Sequence, residues 1–261
     1  MSIGLSQAMN TPGSIYQQCP QFDYKNMHSQ DHEVYANVLP VFTNEIVQFH
    51  NYYRYFPDLS TIHPFQRPFL LFSPPLYIFR NGRPINSAPF QALLSVSPLI
   101  RALYAKYPSI VGIRLPKGVD QAAIHNVLVW LINACHYTWP HEIQPTGSFS
   151  WNLAVARAAR WLGFSPLYYQ QLFHHVYGRI FMFQGNDHCF DHMIEIETRA
   201  IGNWDPFYRK LCQRLAAMRY QGLLSDQMAA FVYGKKHAKL RAGMNGYDLQ
   251  HENRRRLIRG S

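Results

Sequence analysis

Residues 75–88, PLYIFRNGRPINSA, carry the densest local signal in the chain. The run PLYIFR is rich in residues that favour strands, and the following Asn81-Gly82 pair is the strongest short signal for a hairpin turn. Residues 83–88 then supply the return strand. Because Pro84 has no backbone N–H, we expect this strand to be short or to lie at a sheet edge.

The next segment predicts two short helices. The run PFQALLSVS indicates the first of them. Ser97 is expected to cap the second, and Pro98 takes its first position, where a missing N–H is harmless. An apolar face follows at helical spacing and ends before Pro108; it consists of Ile100, Leu103, Tyr104 and Tyr107.

Further along, the run SIVGIRLP predicts another short strand, and Asp120 is expected to cap the helix QAAIHNVLVWLINACHYT. The turn-forming stretch WPHEIQPTGSFS predicts a loop. The run WNLAVARAARWLG then predicts an alanine-rich helix with Arg157 and Arg160 at its solvent edge. Gly163 is expected to end that helix.

Ser165-Pro166 is expected to cap the following helix, in the same way as Ser97-Pro98. Both pairs are followed by leucine, but the sequences around them share nothing else. We therefore interpret the repeated Ser-Pro-Leu as local helix-start chemistry and exclude an internal repeat.

The order hairpin, two short helices, strand, helix, loop and two helices resembles the BTB/POZ family. The resemblance rests on four stretches of sequence, which are PLYIFRNGRPINSA, LLSVSPLIRALYAKYP, IRLPKGVDQAAIHNVLVWLINACHYT and NLAVARAARWLGFSPLYYQQLFHHVYGRI. The chain is similar to divergent, fungal-type members. It departs from the family pattern at Pro89, near a usual histidine, and in its longer loop. The resemblance implies an α+β core of short strands with a cluster of helices, and a helical C-terminal extension.

The resemblance also implies a function, because family members have no active site and dimerise or recruit partners through helix and strand faces. We therefore expect a non-catalytic scaffold or adaptor with protein partners, and a homodimer is one form of that expectation. The low charged fraction of 15% agrees with faces that contact other proteins.

Five segments are predicted along the chain. The second of them, an arm, docks either on its own domain or on a partner, and the sequence leaves both alternatives open. In order, the five segments are a disordered tail at 1–30, an aromatic and proline-rich arm at 31–74, the BTB/POZ-like domain at 75–180, a helical extension at 181–242 and a basic tail at 243–261.

The net charge of +10 is concentrated near the end of the sequence. From Lys235 to Arg259 there are eight Lys or Arg residues and two acidic ones, Asp248 and Glu252, which gives +6. Such a run is typical of nuclear import or of phosphate contact, and also occurs as a plainly solvated tail. The residues singled out for these roles are Arg254, Arg255, Arg256 and Arg259.

The sequence gives only a weak indication of a metal site. His188 and His192 are spaced for one helix face, with Cys189 and Asp191 between them, but a structural zinc needs four ligands and no second pair fits. We therefore expect a solvated or loop segment and no metal.

Ser148 and Ser150 lie outside any G-x-S-x-G motif, and phosphate-binding glycine motifs are absent. The sequence predicts no enzyme and no cofactor.

No signal peptide or membrane-spanning run is visible at the sequence level, so we expect an intracellular protein, in nucleus or cytoplasm, without membrane contact. The alternative to an interaction module is a nucleic-acid-associated protein that uses its basic tail, with the core as the dimerisation unit.

Overall fold

The structure is a computed structural model that describes residues 39–42, 56–137, 142–183, 187–202 and 205–259, with the backbone alone for 39–42, 187–188 and 249–259. The predicted disordered tail at 1–30 lies outside these residues, as does most of the first half of the arm. The described fold is mixed α+β and mostly helical, so the expected fold class is confirmed at that level.

The described elements are a small sheet, formed by the first half of the chain, and a larger group of helices. The strands are β1 (Leu39–Phe42), β2 (Pro75–Arg80), β3 (Arg83–Pro89) and β4 (Ile110–Arg114). The α-helices are α1 (Phe90–Val96), α2 (Pro98–Lys106), α3 (Gln121–His136), α4 (Phe149–Trp161), α5 (Gln170–Phe181), α6 (Asp187–Thr198), α7 (Pro206–Tyr220), α8 (Asp226–Tyr233) and α9 (Ala238–Arg259). The 3-10 helices are Pro64–Phe72, Pro166–Tyr168 and Lys235–His237.

The four strands form one sheet in the order β1-β4-β2-β3. β2 and β3 pair antiparallel as the predicted hairpin, and Asn81 (φ 54°) and Gly82 (φ 76°) adopt the left-handed backbone that its two-residue turn requires. β4 returns parallel to β2 after the crossover through α1 and α2.

Proline marks both outer strands of this sheet. β3 is an edge strand, as its Pro84 predicts, and Pro84 pairs with Phe79 next to a register shift. On the other side β1 pairs antiparallel with β4 and contains Pro40, opposite Ile113.

Side-chain caps fix where the helices begin. Ser97 Oγ accepts a hydrogen bond from the Ile100 N–H at 3.1 Å and donates to the Leu162 carbonyl at 2.8 Å, so this cap also ties α2 to the end of α4. Asp120 caps α3 through the Ala123 N–H at 3.0 Å, as predicted.

The predicted cap at Ser165 is wrong. Its hydroxyl caps nothing, and Ser165-Pro166 opens a short 3-10 turn before α5 begins at Gln170. The Ser165 N–H instead bonds to the Val96 carbonyl at 2.8 Å. The second Ser-Pro therefore joins the segment after α4 to the end of α1.

Gly163 ends α4, as predicted, with a φ of 69°. A Cβ at this position would overlap the Leu99 side chain. Both the backbone conformation and the close approach of α2 therefore require glycine here.

The helices after α5 are continuous with the core. α4 packs against α5 and α6, and α7 packs against α5, α6 and α9. Leu211 and Leu215 of α7 are fully buried. The boundary expected between a helical extension and a tail at residue 243 does not coincide with a structural break, because α9 crosses it and buries Met244.

Glu197 fastens the start of α9 to α6. Its carboxylate accepts a hydrogen bond from the Leu240 N–H at 3.0 Å and lies 2.6 Å from His237 Nδ1. The carboxylate therefore satisfies one of the free N–H groups of the α9 N-terminus and complements the helix dipole.

Arg157 was expected at the solvent edge of α4, and that expectation is wrong. Its side chain is 3% exposed and its Nε lies 2.8 Å from the Asp205 carboxylate, whose side chain is 1% exposed. Arg157 also donates to the Ile196 carbonyl at 3.0 Å. This buried ion pair joins the core to the helices that follow it.

Candidate functional site

Three phenylalanines of the 3-10 helix Pro64–Phe72 are exposed, and we call them the aromatic surface. Phe65 is 82% exposed, Phe69 67% and Phe72 82%. The rings of Phe69 and Phe72 lie 6.4 Å apart, and the Phe65 ring stacks on His63. Monomeric proteins rarely leave several large aromatic side chains this exposed in one short segment, and such patches commonly mark interaction sites.

The opposite side of the same 3-10 helix is anchored in the domain. Arg67 is 1% exposed, and it donates from Nε to the Ile62 carbonyl and from Nη1 to the Tyr137 carbonyl, both at 2.9 Å. Leu70 is buried against the core. Residues 56–74 of the arm therefore pack against their own domain in this structure.

A polar contact fixes the start of this segment. The buried Tyr168 hydroxyl donates to the Asp58 carboxylate, and the Ser60 N–H donates to the same hydroxyl at 3.2 Å. Burial, together with the hydrogen bond to Asp58, raises the pKa of Tyr168. The tyrosine stays protonated and remains a donor, and the contact ties residues 58–60, just before the aromatic surface, to the domain.

A groove of about 350 Å³ lies between α3, residues 142–146, α4 and α5. Its aromatic walls are Trp130, Trp151 and Tyr137, and the rest of the lining combines amide side chains with aliphatic ones such as Val155 and Leu172. Asn152 is 1% exposed and shapes the groove, because it binds both the N–H and the carbonyl of Thr146 at 2.8 Å.

The serines near this groove have structural partners. Ser148 Oγ accepts a hydrogen bond from the Trp151 N–H at 3.3 Å and so caps α4. Ser150 Oγ donates to the Glu195 carboxylate. Glu142, at the groove, accepts a hydrogen bond from the Gln171 N–H at 2.9 Å. These contacts support helix ends and helix packing, and they place no histidine beside either hydroxyl among the described residues.

The sequence predicted a solvated or loop segment around the histidines, and the structure places them in helix α6. Cys189 is buried, and the His192 ring packs 4.2 Å from the Phe149 ring. Asp191 is exposed, and the side chain of His188 lies outside the described atoms. Among the residues whose side chains the structure describes, no three metal-ligating groups come together.

The arginines singled out by the sequence lie at the end of α9. Arg254, Arg255, Arg256 and Arg259 all fall within this helix, whose backbone alone is described there. Met244 anchors the helix in the core, and Arg255 follows about 16 Å further along the helix axis. The arginines are thus brought together by a helix, and the expected nuclear-import or phosphate-contacting role stays a prediction.

The burial of two arginines was not predicted from the sequence. Arg67 and Arg157 are each surrounded by apolar or helical sequence that gives no local sign of burial. Part of the signal was present at Asp205-Pro206, since an acidic residue before proline is typical of a helix start. Asp205 does cap α7, through the N–H groups of Phe207 and Tyr208 at 3.0 Å each.

Two buried thiols make stability depend on pH in the alkaline range. Burial raises the pKa of Cys135 from 9.0 to about 12 and that of Cys212 from 9.0 to about 11. Above pH 9 the unfolded chain loses these protons while the folded chain keeps them. The free energy of unfolding is therefore expected to fall between about pH 9 and 11, by about 1.4 kcal/mol per pH unit for each thiol.

Urea unfolding of the full chain at several alkaline pH values measures this slope. The double variant Cys135→Ala, Cys212→Ala should flatten it by the contribution of both thiols. An unchanged slope in that variant would contradict the assignment to these two residues.

Comparisons with models of known families, with curated proteins and with solved structures each give no match. In the portion of the chain that the structure describes, no helix combines the length and apolar character needed to cross a membrane.

Proposed function

We propose that this chain is a non-catalytic protein–protein interaction module of BTB/POZ type, acting as a scaffold or adaptor inside the cell, in the nucleus or cytoplasm. The order of elements supports the family proposal. A hairpin is followed by two short helices, a strand that returns parallel to the first hairpin strand, and then helices α3, α4 and α5.

The aromatic surface is the observation that carries the proposed function. Its three rings stay in water although the helix that bears them is fixed by Arg67 and Leu70. A flexible segment could fold such rings away, whereas a fixed one presents them continuously. Large rigid aromatic anchors supply much of the binding energy at protein interfaces.

The test replaces the anchors while leaving the fold intact. In the variant Phe65→Ser, Phe69→Ser, Phe72→Ser the changed side chains are exposed, so stability should change by less than about 0.5 kcal/mol per site. Partner binding should weaken by about 1 to 2 kcal/mol per anchor. The measurement is quantitative co-purification with the tagged full chain from its native cells after nuclease treatment.

A matched control removes three other exposed apolar side chains. Leu167, Leu223 and Ile194 are 50%, 61% and 39% exposed and lie outside the aromatic surface. Their triple serine variant should retain the bound proteins. Equal retention by the aromatic variant and this control would argue against the aromatic surface, and no protein bound by the wild type would argue against the function itself.

Homodimerisation is the simplest form of this function and has its own readout. Sedimentation of the purified full chain over a range of concentrations reports self-association directly. If the chain pairs with itself through the aromatic surface, the triple serine variant should sediment as a monomer where the wild type is a dimer.

The second candidate function is nucleic-acid association through the basic C-terminal segment, with the core as the dimerisation unit. The charge of +6 between Lys235 and Arg259 favours it. Binding of this kind depends steeply on salt and would be lost when nuclease is added before co-purification.

A further inference from the structure

Three neighbouring helices contain basic residues and no acidic ones. α4, α5 and α7 together carry seven Arg or Lys residues and no Asp or Glu, and α5 packs against both of the others. Arg157 is buried against Asp205 and Arg219 pairs with Asp248, which leaves five basic residues for the surface. A surface of this kind has a positive potential that attracts anionic partners.

Part of this charge surrounds two aromatic side chains of α5. Lys210 Nζ lies 5.7 Å from the centre of the Tyr177 ring, and the Arg214 guanidinium carbon lies 4.6 Å from the centre of the Phe181 ring. Tyr177 and Phe181 are one helical turn apart, about 6 Å along the axis. These contacts place cations and rings in one continuous row.

Two further arginines lie on the helices that pack against α5: Arg160 in the last turn of α4, and Arg209 next to Lys210 on α7. Burial raises the pKa of Tyr177 to about 12, and the positive charges of Arg160 and Arg209 oppose that shift. We call the set Arg160, Arg209, Lys210 and Arg214, with Tyr177 and Phe181, the basic strip.

Three cations of the strip form no ion pair among the described residues: Arg160, Lys210 and Arg214. Asp205, whose charge also acts on Tyr177, is buried and paired with Arg157. The buried Arg214 Nε has no hydrogen-bond partner among the described residues. By contrast, Arg219 on the same helix pairs with Asp248.

The strip is also open to a ligand. Phe181 is 56% exposed and the adjacent Met182 is 65% exposed. Between Tyr177 and Phe181, the backbone of Gly178 is uncovered, since a Cβ there would meet no atom within 4 Å. A glycine that no packing contact requires leaves room for close approach of a ligand.

We propose that the basic strip binds single-stranded nucleic acid, with phosphates on its cations and a base stacked on Phe181. Single-strand-binding surfaces combine a cationic track with aromatic side chains on which bases stack. An acidic peptide would use the cations but would leave the exposed ring without a function. The strip shares no residue with the aromatic surface or with the C-terminal arginines, and it does not rest on the proposed interaction function.

The experiment measures binding of the full chain to a fluorescent oligouridine of about 16 nucleotides by anisotropy over a range of salt concentrations. The strip variant is Arg160→Gln, Lys210→Gln, Arg214→Gln. We expect at least a tenfold loss of affinity. The slope of log K against log salt should become shallower by about 2, since each lost phosphate contact removes about 0.7.

A control with the same change in charge is available on other elements. Arg83, Lys106 and Lys117 are exposed and lie on β3, on α2 and after β4. Their triple glutamine variant should bind within about twofold of the wild type. Equal binding by the strip variant and this control would overturn the proposal.

Two more variants separate the strip from its alternatives. Phe181→Ala should weaken binding by about tenfold without changing the salt slope, because stacking releases no counterions. The tail variant Arg254→Gln, Arg255→Gln, Arg256→Gln should keep most of the affinity. The proposal would be overturned if the tail variant alone abolished binding, or if polyglutamate displaced the RNA at equal charge concentration, which would indicate an acidic protein partner.

Discussion

Replacing Asp205 with alanine is expected to lower the free energy of unfolding by about 4 kcal/mol. The change leaves the Arg157 guanidinium buried without its partner at 2.8 Å. It also removes the acceptor for the N–H groups of Phe207 and Tyr208, which begin α7. Unfolding of the full chain in urea, followed by tryptophan fluorescence, measures the change.

Asp120→Ala is the matched control, because Asp120 caps α3 but forms no ion pair among the described residues. Loss of that cap alone should cost about 1 kcal/mol. The double variant Arg157→Met, Asp205→Asn removes both charges and keeps an oxygen acceptor for α7. It should be more stable than Asp205→Ala. If Asp205→Ala cost no more than Asp120→Ala, the buried pair would not stabilise the fold.

Replacing Arg67 with alanine is expected to cost about 3 kcal/mol. The guanidinium is 1% exposed and satisfies the carbonyls of Ile62 and Tyr137. Without it both carbonyls lose a charged donor, and the 3-10 helix Pro64–Phe72 loses its anchor. Hydrogen exchange over residues 56–72 should accelerate more than exchange in α4, and partner binding should fall although every phenylalanine of the aromatic surface is retained.

Arg67→Met separates shape from hydrogen bonding, because methionine fills much of the same volume without donating. We expect it to recover part of the stability but little of the protection of residues 56–72. A stability change below about 1 kcal/mol for Arg67→Ala, with unchanged exchange, would show that the other contacts of the segment hold it without Arg67.

Local chemistry made much of the fold predictable. The turn at Asn81-Gly82, the cap at Ser97 and the cap at Asp120 each depend on residues within a few positions of one another. The sequence therefore contains the whole of each signal. Their order along the chain was enough to suggest the α+β class.

Burial of charge was not predictable in the same way. Arg157 has the spacing of a solvent-edge residue, and its partner Asp205 is 48 positions away. At Ser165 the local pattern of a cap was present. Its N–H instead bonds to the distant Val96 carbonyl, and a 3-10 turn without a side-chain cap follows. Tertiary partners of this kind override local preference.

The candidate surfaces were only partly visible in the sequence. The aromatic arm stood out by composition, but which of its rings face water depends on the anchor at Arg67. The basic strip comes from three helices that are each mildly basic. Its concentration of charge appears only after α5 brings α4 and α7 together.

The prolines in the outer strands bear on whether copies of the chain can aggregate through the edges of the sheet. An exposed sheet edge is a template onto which another chain can add a strand, and repeated addition gives fibrils. In the described part of the sheet, Pro84 interrupts the donors of β3 and Pro40 those of the four-residue β1. We therefore expect concentrated solutions of the folded protein to resist cross-β growth from these two edges.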